Sequence, residues 1–142
     1  IGIFGGYIGN EELKTAMTLR APIINIRNIK KGEKVGYDGR AIANKDMTIA
    51  TVYMGYADGL PNHIKDGTVV KINNQDAKVF GKVSMDVTTI DITDIKDCKI
   101  EDWCEFFSPR HSINNLASSN NLISYDLMIR IKSRVKRYYK NI

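Results

Sequence analysis

At 142 residues, with 43% hydrophobic and 26% charged side chains, the chain can bury one core unaided, and its composition excludes a disordered or collagen-like protein. Cys98 and Cys104 lack the CxxC spacing of a zinc or redox site and have only His63 and His111 for company; they read as reduced thiols of a cytoplasmic protein with no bound metal. The net charge of +5 brings nucleic acid into consideration, whereas no apolar run approaches the ~20 residues of a membrane span.

In chain order, Ile1-Gly2-Ile3-Phe4-Gly5-Gly6 is apolar, glycine-rich and without a starting methionine, and it reads as the last strand of a preceding unit. Glu11 to Thr15 is weakly helical. From Met17 to Ile29 the β-branched Ile23, Ile24, Ile26 and Ile29 predict a strand bent near Pro22, because proline cannot donate to a ladder. Lys30 to Glu33 turns around Gly32. Thr48 to Gly55 predicts another strand, ended by Asp58-Gly59 and Pro61. Asn73-Asn74-Gln75, between Thr68–Ile72 and Ala77–Val83, is a hairpin signal. Met85 to Thr93 alternates, and Trp103 to Phe107 predicts a further strand. Ser112 is the expected N-cap of a helix over Ile113–Ser119, and Ser124 of one carrying Leu127, Met128 and Ile131. The prediction is a mainly β fold: a small closed, Greek-key-like β-barrel decorated with helices near its C-terminal end.

The basic excess lies mostly in Arg130, Lys132, Arg134, Lys136, Arg137 and Lys140, interleaved with Ile129, Ile131, Val135, Tyr138 and Tyr139. That interleaving predicts a packed terminal segment with one solvated face rather than a nucleic-acid stripe.

Two stretches pair a tyrosine with a glycine turn: Val35-Gly36-Tyr37-Asp38-Gly39-Arg40 and Tyr53-Met54-Gly55-Tyr56-Ala57-Asp58-Gly59-Leu60-Pro61. Glycine there permits a tight turn and close backbone approach. Tyr53 reads as an ordinary packing residue of a strand. Tyr37 and Tyr56, beside the turns, are candidates for function, since a phenolic hydroxyl can donate, accept or move a proton. Ser84-Met85-Asp86 reads as a strand start, and Asp58 with Asp86 does not read as an acid/base pair.

Taken in order and spacing, these stretches, with Ile49-Ala50-Thr51-Val52 leading into the second and Gly81-Lys82-Val83-Ser84-Met85-Asp86 following, resemble the C-terminal half of alanine racemase. Gly2-Ile3-Phe4-Gly5-Gly6 and Met17-Thr18-Leu19 resemble the family's exit from its N-terminal barrel. Ile123-Ser124-Tyr125-Asp126 through Arg134-Val135-Lys136-Arg137 resemble its closing helix and tail, so the likeness spans essentially the whole chain. It implies that residues 1–12 end a preceding barrel domain and residues 13–142 form the C-terminal β domain. It also implies pyridoxal phosphate, held by a lysine of the missing barrel, and a head-to-tail homodimer in which this domain completes the partner's site. Tyr37 matches the catalytic tyrosine that serves one face of the substrate, the cofactor lysine serving the other. Met85 matches the residue whose backbone N–H holds the substrate carboxylate, and Tyr56 the tyrosine that narrows the entrance for a small amino acid. Gly2 and Ile3 match the amides on the cofactor phosphate. A tyrosine ordinarily keeps its proton to about pH 10, and the family's activating arginine comes from the partner's barrel; Arg40, three residues beyond Tyr37, gives no reason to supply it. Two departures stand out: Asn62 replaces an arginine, and Ser133 a tyrosine that some members place on the cofactor phosphate.

The implied function is interconversion of L- and D-alanine for peptidoglycan synthesis. The alternatives are a racemase for serine or another amino acid, or a basic β-barrel that binds single-stranded nucleic acid. Asp38 and Asp58 beside the tyrosines weigh against the last, since they would repel phosphate.

Overall fold

A computed structural model describes residues 15–140. The strand expected over residues 1–6, with Gly2 and Ile3, and all of the weakly helical stretch except Thr15 lie outside the described residues. Eight strands form: β1 (Leu19–Ile29), β2 (Lys34–Val35), β3 (Ala41–Ile42), β4 (Met47–Val52), β5 (Val69–Ile72), β6 (Gln75–Val79), β7 (Thr88–Asp91) and β8 (Trp103–Phe107), followed by helices α1 (Ile113–Ser119) and α2 (Ser124–Arg130).

Six strands close an antiparallel barrel in the order β1-β4-β7-β6-β5-β8. Strands β5, β6 and β7 form a meander and β8 returns beside β5, which is the Greek-key order. Closure depends on the length of β1. Its first part pairs with β8 (Ala21 with Cys104) and its second with β4 (Ile26 with Ala50). The register slips between Ile23 and Asn25, one residue beyond the bend expected at Pro22. The β5–β6 turn has Asn73 at φ 50 and Asn74 at φ 62. Positive φ at both central positions marks a type I′ turn, whose twist matches the strands and which asparagine tolerates.

Alternate residues of the strands point inward. Ile23, Val52, Val70, Ile72, Val79, Ile90 and Phe106 fill the interior, and Leu116 and Leu127 of the helices cover one end of it. Each such side chain removed from water stabilises the fold by about 1.5–3 kcal/mol. A second, smaller core gathers Ile29, Val35, Ala43, Met47 and Ile49, with Ala41 and Phe80 against it. It fastens the β2–β3 flap, and so the Tyr37–Gly39 3-10 turn between those strands, to the barrel wall.

Three local expectations are corrected. Ser124 does not cap α2: the cap residue is Ile123 in extended conformation, and Ser124 is a buried first-turn residue. Ile131 follows that helix as its C-terminal cap rather than lying within it. Ile129, Tyr138 and Tyr139 are not packed but stand 82%, 82% and 90% exposed. Ser112 caps α1 as expected, its hydroxyl accepting from the Asn114 N–H.

Candidate active site

Tyr37 sits on the 3-10 turn at the tip of the flap and is 55% exposed. It lines a cleft of about 720 Å³ together with Tyr56, Arg40, Asn62, His63 and Lys82. The two candidate tyrosines, from stretches apart in sequence, therefore share one cavity. Three residues complete a 3-10 turn, so Arg40 returns to the side of Tyr37 and lines the same cleft, against the expectation from its position in the chain. The cleft wall is held from below by Asp66, whose Oδ1 accepts the Gly81 N–H at 2.6 Å.

Met85 does not line this cleft. It occupies the turn before β7, 47% exposed, and the stretch expected to be strand from Met85 is regular only from Thr88. The turn is nevertheless zipped to the Tyr56 loop: Tyr56 N–H donates to Ser84 O at 3.0 Å and Ala57 N–H to Met85 O at 2.8 Å. Gly55 makes that contact possible. A Cβ there would lie 2.3 Å from Met85 O and 2.4 Å from Ser84 O. Thr88, buried beneath, donates its hydroxyl to Met54 O at 2.7 Å. Among the described residues the Met85 N–H has no acceptor.

Asp58 and Asp86, set aside as an acid/base pair, turn out to share a cation. Arg134 Nε lies 2.9 Å from Asp58 Oδ1, and Arg134 Nη2 donates to Asp86 Oδ1 at 2.9 Å. The hydrogen bond to Asp86, then the charge of Asp58, pushes the Arg134 pKa further up, so it is a cation at any working pH. Sequence reasoning missed this group, because Arg134 and Asp86 are 48 positions apart and no local motif joins them.

Two more arginines of the basic run are also engaged within the fold. Arg130 Nε bonds Asp126 at 2.8 Å, which offsets its charge, and Arg137 Nη2 donates to Ile131 O at 2.9 Å. Cys104 is buried and Cys98 partly so, both free, and burial pushes both thiols up. Among the described residues no His, Cys, Asp and Glu group could hold a metal ion, and no helix is long and apolar enough to cross a membrane.

Tyr37 and Met85 both face outward, with no enclosed chamber around them among the described residues. Ser133 and Asn62 are exposed, one beside Arg134 and the other on the cleft wall.

The chain is similar to known proteins over nearly its whole length. The family model "Alanine racemase, C-terminal domain" matches residues 16–139. The alanine racemase of Alteromonas mediterranea is 40% identical over 145 residues, covering 99% of this chain and 40% of that protein. The catabolic alanine racemase of Pseudomonas aeruginosa is 37% identical over 91% of this chain and 36% of its own length. The crystal structure of the biosynthetic alanine racemase from P. aeruginosa superposes with a TM-score of 0.88 at 35% identity, covering 91% of this chain and 36% of that one. That of Bartonella henselae alanine racemase with covalently bound pyridoxal phosphate gives 0.90 at 27% identity over 98% and 39%. The chain thus spans about two fifths of the length of the proteins it matches.

Proposed function

The chain belongs to the alanine racemase C-terminal domain family, and from that premise we propose that it is the C-terminal part of a pyridoxal-phosphate-dependent alanine racemase that interconverts L- and D-alanine for peptidoglycan synthesis. On this reading residues 1–12 end a barrel domain and residues 13–142 are the β domain, which meets the partner's barrel in a head-to-tail homodimer. The observation that carries the reading is Tyr37: an exposed phenol on a turn whose foot is packed into its own small core. A group that must move a proton on a substrate outside its own chain needs both the exposure and the firm base.

Bound pyridoxal phosphate supplies the electron sink that makes the α-proton removable. Racemisation then requires proton transfer on both faces of the α-carbon. Tyr37 takes or returns the proton on one face, and the other face belongs to a lysine outside this chain. The open Met85 N–H donates to the substrate carboxylate. Tyr56, which lines the same cleft as Tyr37, narrows the entrance and so favours a small amino acid; a racemase for serine is the second reading. Gly2 and Ile3, outside the described residues, match the family's positions that would hold the cofactor phosphate.

Tyr37→Phe in the complete enzyme tests this. Proton exchange at the α-carbon of one enantiomer in D2O should fall by about 10²–10⁴-fold, the usual worth of a general base, with the cofactor absorbance retained. Equal loss of exchange from both enantiomers together with the cofactor would remove Tyr37 from that role.

A further inference from the structure

We propose that Arg134 is a positioning residue of the substrate site, clamping the Tyr56 loop to the Met85 turn by bridging Asp58 and Asp86. The inference rests on the reading of Tyr56 and Met85 as substrate-facing, but the clamp itself stands on geometry.

Each carboxylate belongs to one of the two segments: Asp58 lies two residues beyond Tyr56, and Asp86 follows Met85. Arg134 meets them with two different nitrogens, both at 2.9 Å. The rigid planar fork of a guanidinium suits such a bridge, whereas the single ammonium of lysine does not. Asp58 relays the restraint, because its second oxygen accepts the Gly55 N–H at 2.9 Å. The tyrosine loop is thereby held both at its start and at its middle.

The arginine is itself delivered by a pinned segment. Lys132 N–H donates to Asp58 O at 3.0 Å. Arg137 Nη2 binds Ile131 O at 2.9 Å. The chain around Arg130 presses so close on Gly59 that a Cβ there would lie 2.0 Å from Arg130 O. Removing Arg134 would leave two carboxylates facing one another across the loops, so an attraction becomes a repulsion at the place where the substrate is bound. Half-exposed ion pairs contribute little to global stability; what this one provides is the spacing between Tyr56 and the Met85 amide.

The test uses the complete enzyme with Arg134→Met and Arg134→Lys. Arg134→Met should raise KM for alanine about tenfold while kcat stays within about twofold, the pattern of lost ground-state positioning. Hydrogen exchange should accelerate together in residues 55–60 and 84–87, about tenfold, with the β5–β6 hairpin unchanged, since the opening is local. Arg134→Lys should recover part of both effects. Adding Asp86→Asn to Arg134→Met should change KM little further, because the two act through one contact. Unaltered exchange in the two segments, or an even acceleration across all strands, would overturn the clamp. An unmodified complete enzyme without racemase activity would instead overturn the functional reading, and the exchange data would still judge Arg134.

Discussion

Gly55 shows how a single missing side chain can organise a site. It is buried, and the Met85 turn lies directly on its backbone. Gly55→Ala must therefore push the two segments apart, with the overpacking cost of about 1–3 kcal/mol, or roughly 3–10 °C in Tm. Gly67→Ala is the matched control, since Gly67 has φ +82 but nothing within 4 Å of its missing Cβ; it should lose only the strain of a left-handed alanine, about 1 kcal/mol. Thermal unfolding of the two variants decides the point. A Gly55→Ala protein no less stable than the Gly67 variant would mean that the close approach is not maintained. Arg134 belongs to the same scale. Its importance lies in which two residues it touches and not in the amount of charge it adds.

Among the elements, α1 does more than cover the barrel end. Its C-terminal cap residue Asn120 is buried and accepts with Oδ1 from the Lys65 N–H at 2.7 Å and the Thr68 hydroxyl at 3.0 Å, while Nδ2 donates to Leu116 O at 2.8 Å. Lys65 lines the Tyr37–Tyr56 cleft, so the helix end fixes one wall of the site. Asn120→Ala leaves the part-buried Lys65 amide and the buried Thr68 hydroxyl without their acceptor and should cost about 1–3 kcal/mol, chiefly for the unsatisfied hydroxyl. Asn120→Asp, which keeps the acceptor oxygen, should cost less. Urea unfolding measures both, and equal losses would show that the acceptor is not what matters. The contrast between Ser112 and Ser124 is instructive at this scale. Both precede helical patterns, yet only Ser112 caps, because Ser124 is drawn into the interior and Ile123 takes the extended cap position.

For the molecule as a whole, a barrel closed by one long strand gives a rigid body on which the flap, the Tyr56 loop and the Met85 turn are mounted at neighbouring places. Tyr37 and Met85 stand exposed, and the chain spans about two fifths of its relatives' length. The isolated chain should therefore show no alanine racemisation and no micromolar pyridoxal phosphate binding. The complete protein that contains it should do both, and should restore growth to a host that requires D-alanine. Turnover by the isolated chain would refute the proposal that its site is shared.

The mainly β class, the barrel and the C-terminal helices were legible in the chain, because alternation, turn asparagines and a capping serine act over a few residues. The ordered set of motifs likewise carried the family. Strand ends were less legible: β6 stops at Val79 and β7 starts only at Thr88, since pairing partners, and not local propensity, set those limits. It took the packing of the closed barrel to bring Tyr37 and Tyr56 to one cleft and to set Arg134 between Asp58 and Asp86. Those meetings depend on barrel closure and on the path of the C-terminal segment across the Tyr56 loop. They join residues of separate segments, for which no spacing in the chain provides a signal.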